Sequence, residues 1–303
     1  MRIKDPALFQ ALDTKLSTFT SLYNLPGINS TVKKDCLIHQ IIDSDRRIKV
    51  AQHIGSKAYN HIVADPSRAS FNPLAAASYH FQNGDIDEAI WLVFLAIHFG
   101  KNKNHGWNLA RLTYSGLGNS VMWDWQSISN NPSLFRSWLT PNYKSLKLKG
   151  KFSNHRRYTS LKDKGTGRTF ESYVHWIGPS RSHNDFLQEA IKLSSNNPRE
   201  LFSHLYKSMG DVLYFGRLGK FDFLTMLGKL GIVNIEPDST YIKGATGPYD
   251  GAKLLFGVSD KTTLNNNLNA LEAHLGLYFG MQILEDSLCN WQKNPLKYTH
   301  FRG

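Results

Sequence analysis

The sequence predicts an all-α protein. Apolar residues recur at three- and four-residue spacings over long stretches, and no block reads as β-rich. Of 303 residues, 41% are apolar, enough for a sizeable core in one large domain or two lobes.

The elements follow in order. Residues 33–55 read as one helix, with Cys36, Ile38, Ile41, Ile42, Ile48 and Ile54 on its apolar side. A helix over 86–99 follows the turn Asn83-Gly84-Asp85. Its run Trp91-Leu92-Val93-Phe94-Leu95-Ala96-Ile97 is too apolar for a surface helix and belongs in the core. A turn rich in Gly and Asn leads to a helix over about 106–115. Between 118 and 182 the pattern weakens, and Trp123, Trp125 and Trp138 lie among Ser, Asn and Pro. Short helices and long loops are expected there, as a basic insertion or lobe linker. Helices resume near 184–194 and 199–214, then near 221–230 and 249–257, with longer ones over 262–292. There is no internal repeat and no low-complexity tail.

Charge narrows the partners. Lys and Arg number 36 against 24 Asp and Glu, a formal charge of +12. That excess suits a polyanion such as nucleic acid, whose counterions are released on binding. An anionic membrane surface would also suit it, but no apolar run is long enough to span a bilayer. The opening Met1-Arg2-Ile3-Lys4-Asp5-Pro6 lacks the apolar stretch of a secretory signal, so a cytoplasmic protein is expected. Cys36 and Cys289 form no disulfide framework and cannot supply four ligands to an iron–sulfur cluster. No spaced set of His, Cys and carboxylates suggests a metal, and no cofactor is expected.

Four segments carry candidate chemistry. Phe215-Gly216-Arg217-Leu218-Gly219-Lys220 sits between two helical patterns. Its glycines permit a tight hairpin with positive φ, leaving backbone N–H groups for a phosphate beside Arg217 and Lys220. An ordinary helix turn with a Gly cap explains the same residues. Nineteen residues after Gly219 comes Asp238, ahead of Ser239, Thr240 and Tyr241. Asp238 is either catalytic or a helix cap. Gly244-Ala245-Thr246-Gly247-Pro248 is a second Gly turn entering a helix, with Asp260 only 13 residues past Gly247. If that turn held the phosphate, Asp260 would replace Asp238. Residues 144–168 hold nine Lys or Arg, among them Arg156 and Arg157, against the single acid Asp163, with Tyr143, Phe152 and Tyr158 interleaved. They either track a phosphate backbone or form a solvated basic loop.

The order helix, Gly hairpin, helix, aspartate resembles the signature of the helix-hairpin-helix DNA glycosylases. That resemblance implies two helical lobes with the base pocket between them, the hairpin and catalytic region spanning 199–260. Asp238 would stabilise positive charge on the sugar as the base leaves. Strand-cleaving members carry a lysine where this chain has Phe221, so a monofunctional enzyme is implied.

A more specific resemblance rests on the segment Gln40-Ile41-Ile42-Asp43-Ser44-Asp45-Arg46-Arg47. With it go Trp91-Leu92-Val93-Phe94-Leu95-Ala96-Ile97-His98-Phe99-Gly100-Lys101, Gly244–Ala252 and Leu284-Glu285-Asp286-Ser287-Leu288-Cys289-Asn290-Trp291. Together they resemble the α-glutamyl/putrescinyl-thymine pyrophosphorylase family, a branch of that superfamily linked to hypermodified pyrimidines in phage DNA. Some relatives look like antiphage glycosylases that excise glucosylated hydroxymethylcytosine. The resemblance implies double-stranded DNA carrying modified pyrimidines as partner. The leading expectation is excision of a flipped, bulky base to give an abasic site. The alternatives are displacement of pyrophosphate by an amine on the modified base, and DNA binding without catalysis. Gln40, Asp43, Arg46, Arg47, Tyr241 and Thr246 are the expected base-pocket residues. The plainer expectation for Glu285 or Asp286 is a salt bridge to Arg46 or Arg47.

Overall fold

The computed structural model describes residues 5–119 and 121–300. Fourteen α-helices and no strand occur among them. The chain divides into two compact units, Met1–Val50 with Pro237–Gly303 and Ala51–Glu236.

Unit 1 is discontinuous. It holds α1 (Pro6–Thr20), the first twenty residues of α2 (Thr31–Ser56), α12 (Thr246–Phe256), α13 (Lys261–Leu275) and α14 (Gly280–Trp291). Asp5 caps α1 by accepting the Leu8 N–H at 3.1 Å, and Pro6 presets the first turn. Left-handed Gly257 and Gly276 end α12 and α13. The core joins Leu12, Leu16 and Phe19 of α1 to Ile38, Ile41 and Ile42 of α2 and to the inner faces of α13 and α14. At Gly251 a Cβ would lie 2.4 Å from the Leu288 carbonyl oxygen, so glycine lets α12 seat against α14.

Unit 2 packs α3 (Pro73–Gln82), α5 (Asn108–Tyr114), α6 (Trp125–Asn130), α7 (Pro132–Lys149), α8 (Arg168–Ile177), α9 (His183–Leu193), α10 (Pro198–Ser208) and α11 (Arg217–Lys229) around α4 (Ile86–Phe99). Helix α4 is buried nearly all round, as its composition requires. Phe94 stacks on Tyr173 at 3.8 Å, and the Trp91 indole donates to the Trp123 carbonyl at 2.8 Å. Glu88 is buried there too, accepting from the Tyr114 hydroxyl at 2.8 Å and the Trp125 N–H at 2.6 Å. Burial pushes its carboxyl up to about 8, against those two bonds.

In the region 118–182 the expected short helices are present as α6 and α8, but the 18-residue α7 stands where long loops were expected. The region carries the whole of α6, α7 and α8, and Trp123 and Trp125 are core residues. Helix α7 runs 18 residues behind the Asn131 cap and Pro132, but only Phe135, Leu139 and Leu146 are buried. Three sparse apolar contacts leave a weak periodic signal. Helices α1 and α3 also lie outside the expected set.

Candidate active site

Three of the quoted segments meet within unit 1, on α2, α12 and α14. Their meeting point is a polar cluster inside an apolar core. Gln40, Asp43 and Ser44 are all buried on α2. Residues three and four apart share a helix face, so Gln40, Asp43 and Arg47 emerge together.

Asp43 is 3% exposed. Its Oδ2 accepts the Tyr298 hydroxyl at 2.5 Å and lies 2.6 Å from His300 Nδ1. His300 itself is half exposed, so the pair reaches from the core to the surface. One turn on, Asp286 of α14 accepts Ser44 Oγ at 2.9 Å and Arg47 Nε at 3.1 Å, and pairs with the Arg47 guanidinium. Asn290 Nδ2 donates to the other Asp286 oxygen at 3.1 Å. The expected salt bridge from α14 to α2 is therefore formed, by Asp286 and Arg47. Gln40 donates to the Thr299 carbonyl at 3.0 Å. Arg46 is exposed, one turn past Asp43.

The Gly244–Pro248 turn does enter a helix. Gly244 has φ +89°, and α12 starts at Thr246 with no side-chain cap. A Cβ on Gly247 would lie 2.5 Å from Cys289 Sγ, which brings the α12 entrance onto α14. Thr246 is exposed. Asp260 caps α13, accepting the Thr263 N–H and hydroxyl at 2.8 Å each, and these bonds hold its carboxyl below the usual range. Asp238 caps no helix. It sits in a loop and accepts the Tyr241 hydroxyl at 2.7 Å, and Tyr241 has the unusual φ of +49° for a residue with a side chain.

The proposed phosphate hairpin takes a different form. Gly216 is the N-cap of α11 with φ −69°, and Gly219 lies inside the first turn of that helix, against the Phe215 ring. The left-handed residue is Tyr214. Neither glycine therefore has the positive φ expected of it. Glycine at 219 instead makes room for Phe215. Arg156 is also turned inward. It donates to the Ile97 carbonyl at 3.0 Å and pairs with Asp222 at 2.7 Å. Arg157 is exposed and lies over Tyr158, and Lys220 stands 4.3 Å from the Tyr206 ring centroid. Phe221, where a lyase lysine would stand, is buried.

Tyr298 and His300 went unread in the sequence, because a lone aromatic and a lone histidine beyond the last helix carry no periodic signal.

Residues 32–303 match the family model for alpha-glutamyl/putrescinyl thymine pyrophosphorylase, clade 3. The chain belongs to that family. No curated protein and no solved structure matches it. The helix-hairpin-helix glycosylase likeness therefore rests on sequence resemblance, while the all-α class is seen directly. The match to the pyrophosphorylase family begins inside α2 and takes in every residue of the polar cluster. No helix among the described residues is long and apolar enough to cross a membrane.

Proposed function

We propose that the protein is a DNA-modifying transferase. It displaces pyrophosphate from a pyrophosphorylated hydroxymethylpyrimidine and installs an amine, leaving the glycosidic bond intact. The Asp43–His300 pair, inside a chain of this family, carries the reading. Family membership favours this chemistry over the base excision expected from the glycosylase resemblance.

The incoming amine nitrogen attacks the exocyclic methylene carbon. The carbon–oxygen bond breaks, and its electron pair leaves with pyrophosphate. The amine must then lose a proton. With Nδ1–H donated to Asp43, Nε2 is the basic nitrogen of His300 and takes that proton. The Asp43 carboxylate fixes the tautomer and balances the imidazolium charge, as a buried carboxylate does for other catalytic histidines. Tyr298 holds the carboxylate in place through the same oxygen. Exposed Arg46, one turn away on α2, is the cation for the leaving pyrophosphate. The amine classes are those of the family's description, glutamate and putrescine.

The test incubates the protein with DNA carrying pyrophosphorylated hydroxymethyluracil and either amine. Pyrophosphate release should match amine incorporation one for one. Asp43→Asn and His300→Ala should each slow it about a hundredfold or more, the usual scale for losing a positioned acid–base group. A parallel incubation uses glucosylated hydroxymethylcytosine DNA. Abasic sites there, lost in Asp238→Asn and unaccompanied by pyrophosphate chemistry on the first substrate, would replace this reading with excision.

A further inference from the structure

A cavity of about 410 Å³ opens on unit 2 between α7 and the segment 150–162. That volume lies within the roughly 300–1,000 Å³ of small-molecule sites. Lys147, Lys151, Arg157 and Lys162 border it, and no carboxylate lines it. Among the described residues none of these four cations is in an ion pair. The one acid of the stretch, Asp163, is held by Arg136 through bonds of 2.7 and 3.0 Å. Four like charges on one rim repel until an anion joins them.

Hydrogen bonds and close packing hold the wall of the cavity at Ser160. The Ser160 carbonyl accepts both the N–H and the hydroxyl of Thr166, at 2.8 and 2.9 Å, and buried His98 lies 3.0 Å from that hydroxyl. A Cβ on Gly165 would come within 2.3 Å of the same carbonyl, so glycine lets the segment close. Two rings face the cavity. Phe152 is committed to packing on His98 and Phe99. Tyr143 is not so committed, and Lys162 Nζ stands 5.8 Å from its centroid. A ring among cations matches a nucleotide, with the base on the ring and the phosphate on the lysines.

Exposed Lys144, Lys149, Lys164 and Arg168 continue the charge on the chain segments beyond the cavity. A free nucleotide would engage only the four at the rim. We propose that this cavity is a single-stranded DNA site, in which a base stacks on Tyr143 and the flanking phosphates lie along Lys147, Lys151, Arg157 and Lys162. It asks only for binding and stands apart from the chemistry assigned to unit 1.

The experiment follows the anisotropy of a labelled oligothymidylate of about 15 nucleotides against the full chain, between about 50 and 200 mM salt. Affinity should fall steeply with salt. The triple variant Lys147→Ala/Lys151→Ala/Lys162→Ala should lower the log–log slope by about 2, at roughly 0.7 per phosphate contact. Tyr143→Leu should weaken binding about fivefold or more at every salt concentration without changing the slope, and Tyr143→Phe should restore it. Thermal melts confirm that each variant is folded. An unchanged slope in the triple variant, or unchanged affinity in a folded Tyr143→Leu, overturns the proposal. Competition by thymidine diphosphate as strong as that by the strand would make this a free-nucleotide site and would also overturn it.

Discussion

Buried ionisable side chains in this protein play two different parts. Asp43 is satisfied by a tyrosine and a histidine, and the histidine carries its influence to the surface. Glu88 is sealed in unit 2, with burial outweighing its two hydrogen bonds. A carboxyl raised from 4.5 to about 8 binds its proton more tightly folded than unfolded. Its contribution is complete below about pH 4.5 and is lost as pH rises towards 8, at no more than about 1.4 kcal/mol per pH unit. Glu88→Gln keeps the shape and an acceptor but does not titrate. Urea midpoints at pH 6 and pH 8.5 should therefore fall less for the variant than for the wild type. Equal losses in both would place the ionisable group elsewhere. His98 acts on the acid side. Burial pushes its imidazole down to about 3, so its contribution is intact above about pH 6.5 and is lost as pH falls below that.

At the scale of elements, helix contacts place the candidate site. Helices α12 and α14 approach so closely at Gly251 that a methyl group would strike the Leu288 backbone. Gly251→Ala should cost about 1–3 kcal/mol, the range for overpacking a core, and should displace the α12 entrance from Cys289. Chemical denaturation reads the loss, and an unchanged midpoint would mean the helices can separate cheaply. The first turn of α11 illustrates the opposite outcome. Its glycines looked like a positive-φ hairpin, yet one is a cap and the other is helical. Spacing alone does not separate glycine chosen for its backbone from glycine chosen for the room it leaves, and Phe215 supplies the second reason here.

At the scale of the whole molecule, unit 1 is assembled from both ends of the chain. Helix α1 lies before the family match, which begins at residue 32, yet Leu12, Leu16 and Phe19 are each no more than 1% exposed. Burying three such side chains contributes roughly 1.5–3 kcal/mol each. Their sum is comparable with the ~5–15 kcal/mol total stability of a typical domain. A chain starting at residue 31 should therefore lose the unit 1 fold, and with it the pyrophosphate release proposed for that unit. Calorimetry and circular dichroism would show this as missing helix and a missing transition. A truncated chain that melts like the full one would make α1 dispensable.

The all-α class, the core position of α4 and the bounds of α2 to within two residues are legible in the sequence, because they follow from local periodicity and composition. So are the basic charge and the tie between α14 and α2, which shows as a carboxylate needing a partner. Which polar residues keep company depends on long-range packing. Asp43 meets His300 across 257 positions of chain, and Arg156 turns inward to Asp222 while Arg157 stays in solvent. Neighbouring residues of the same charge look alike in a sequence. Which one is buried depends on packing against segments far along the chain, and no local period encodes that.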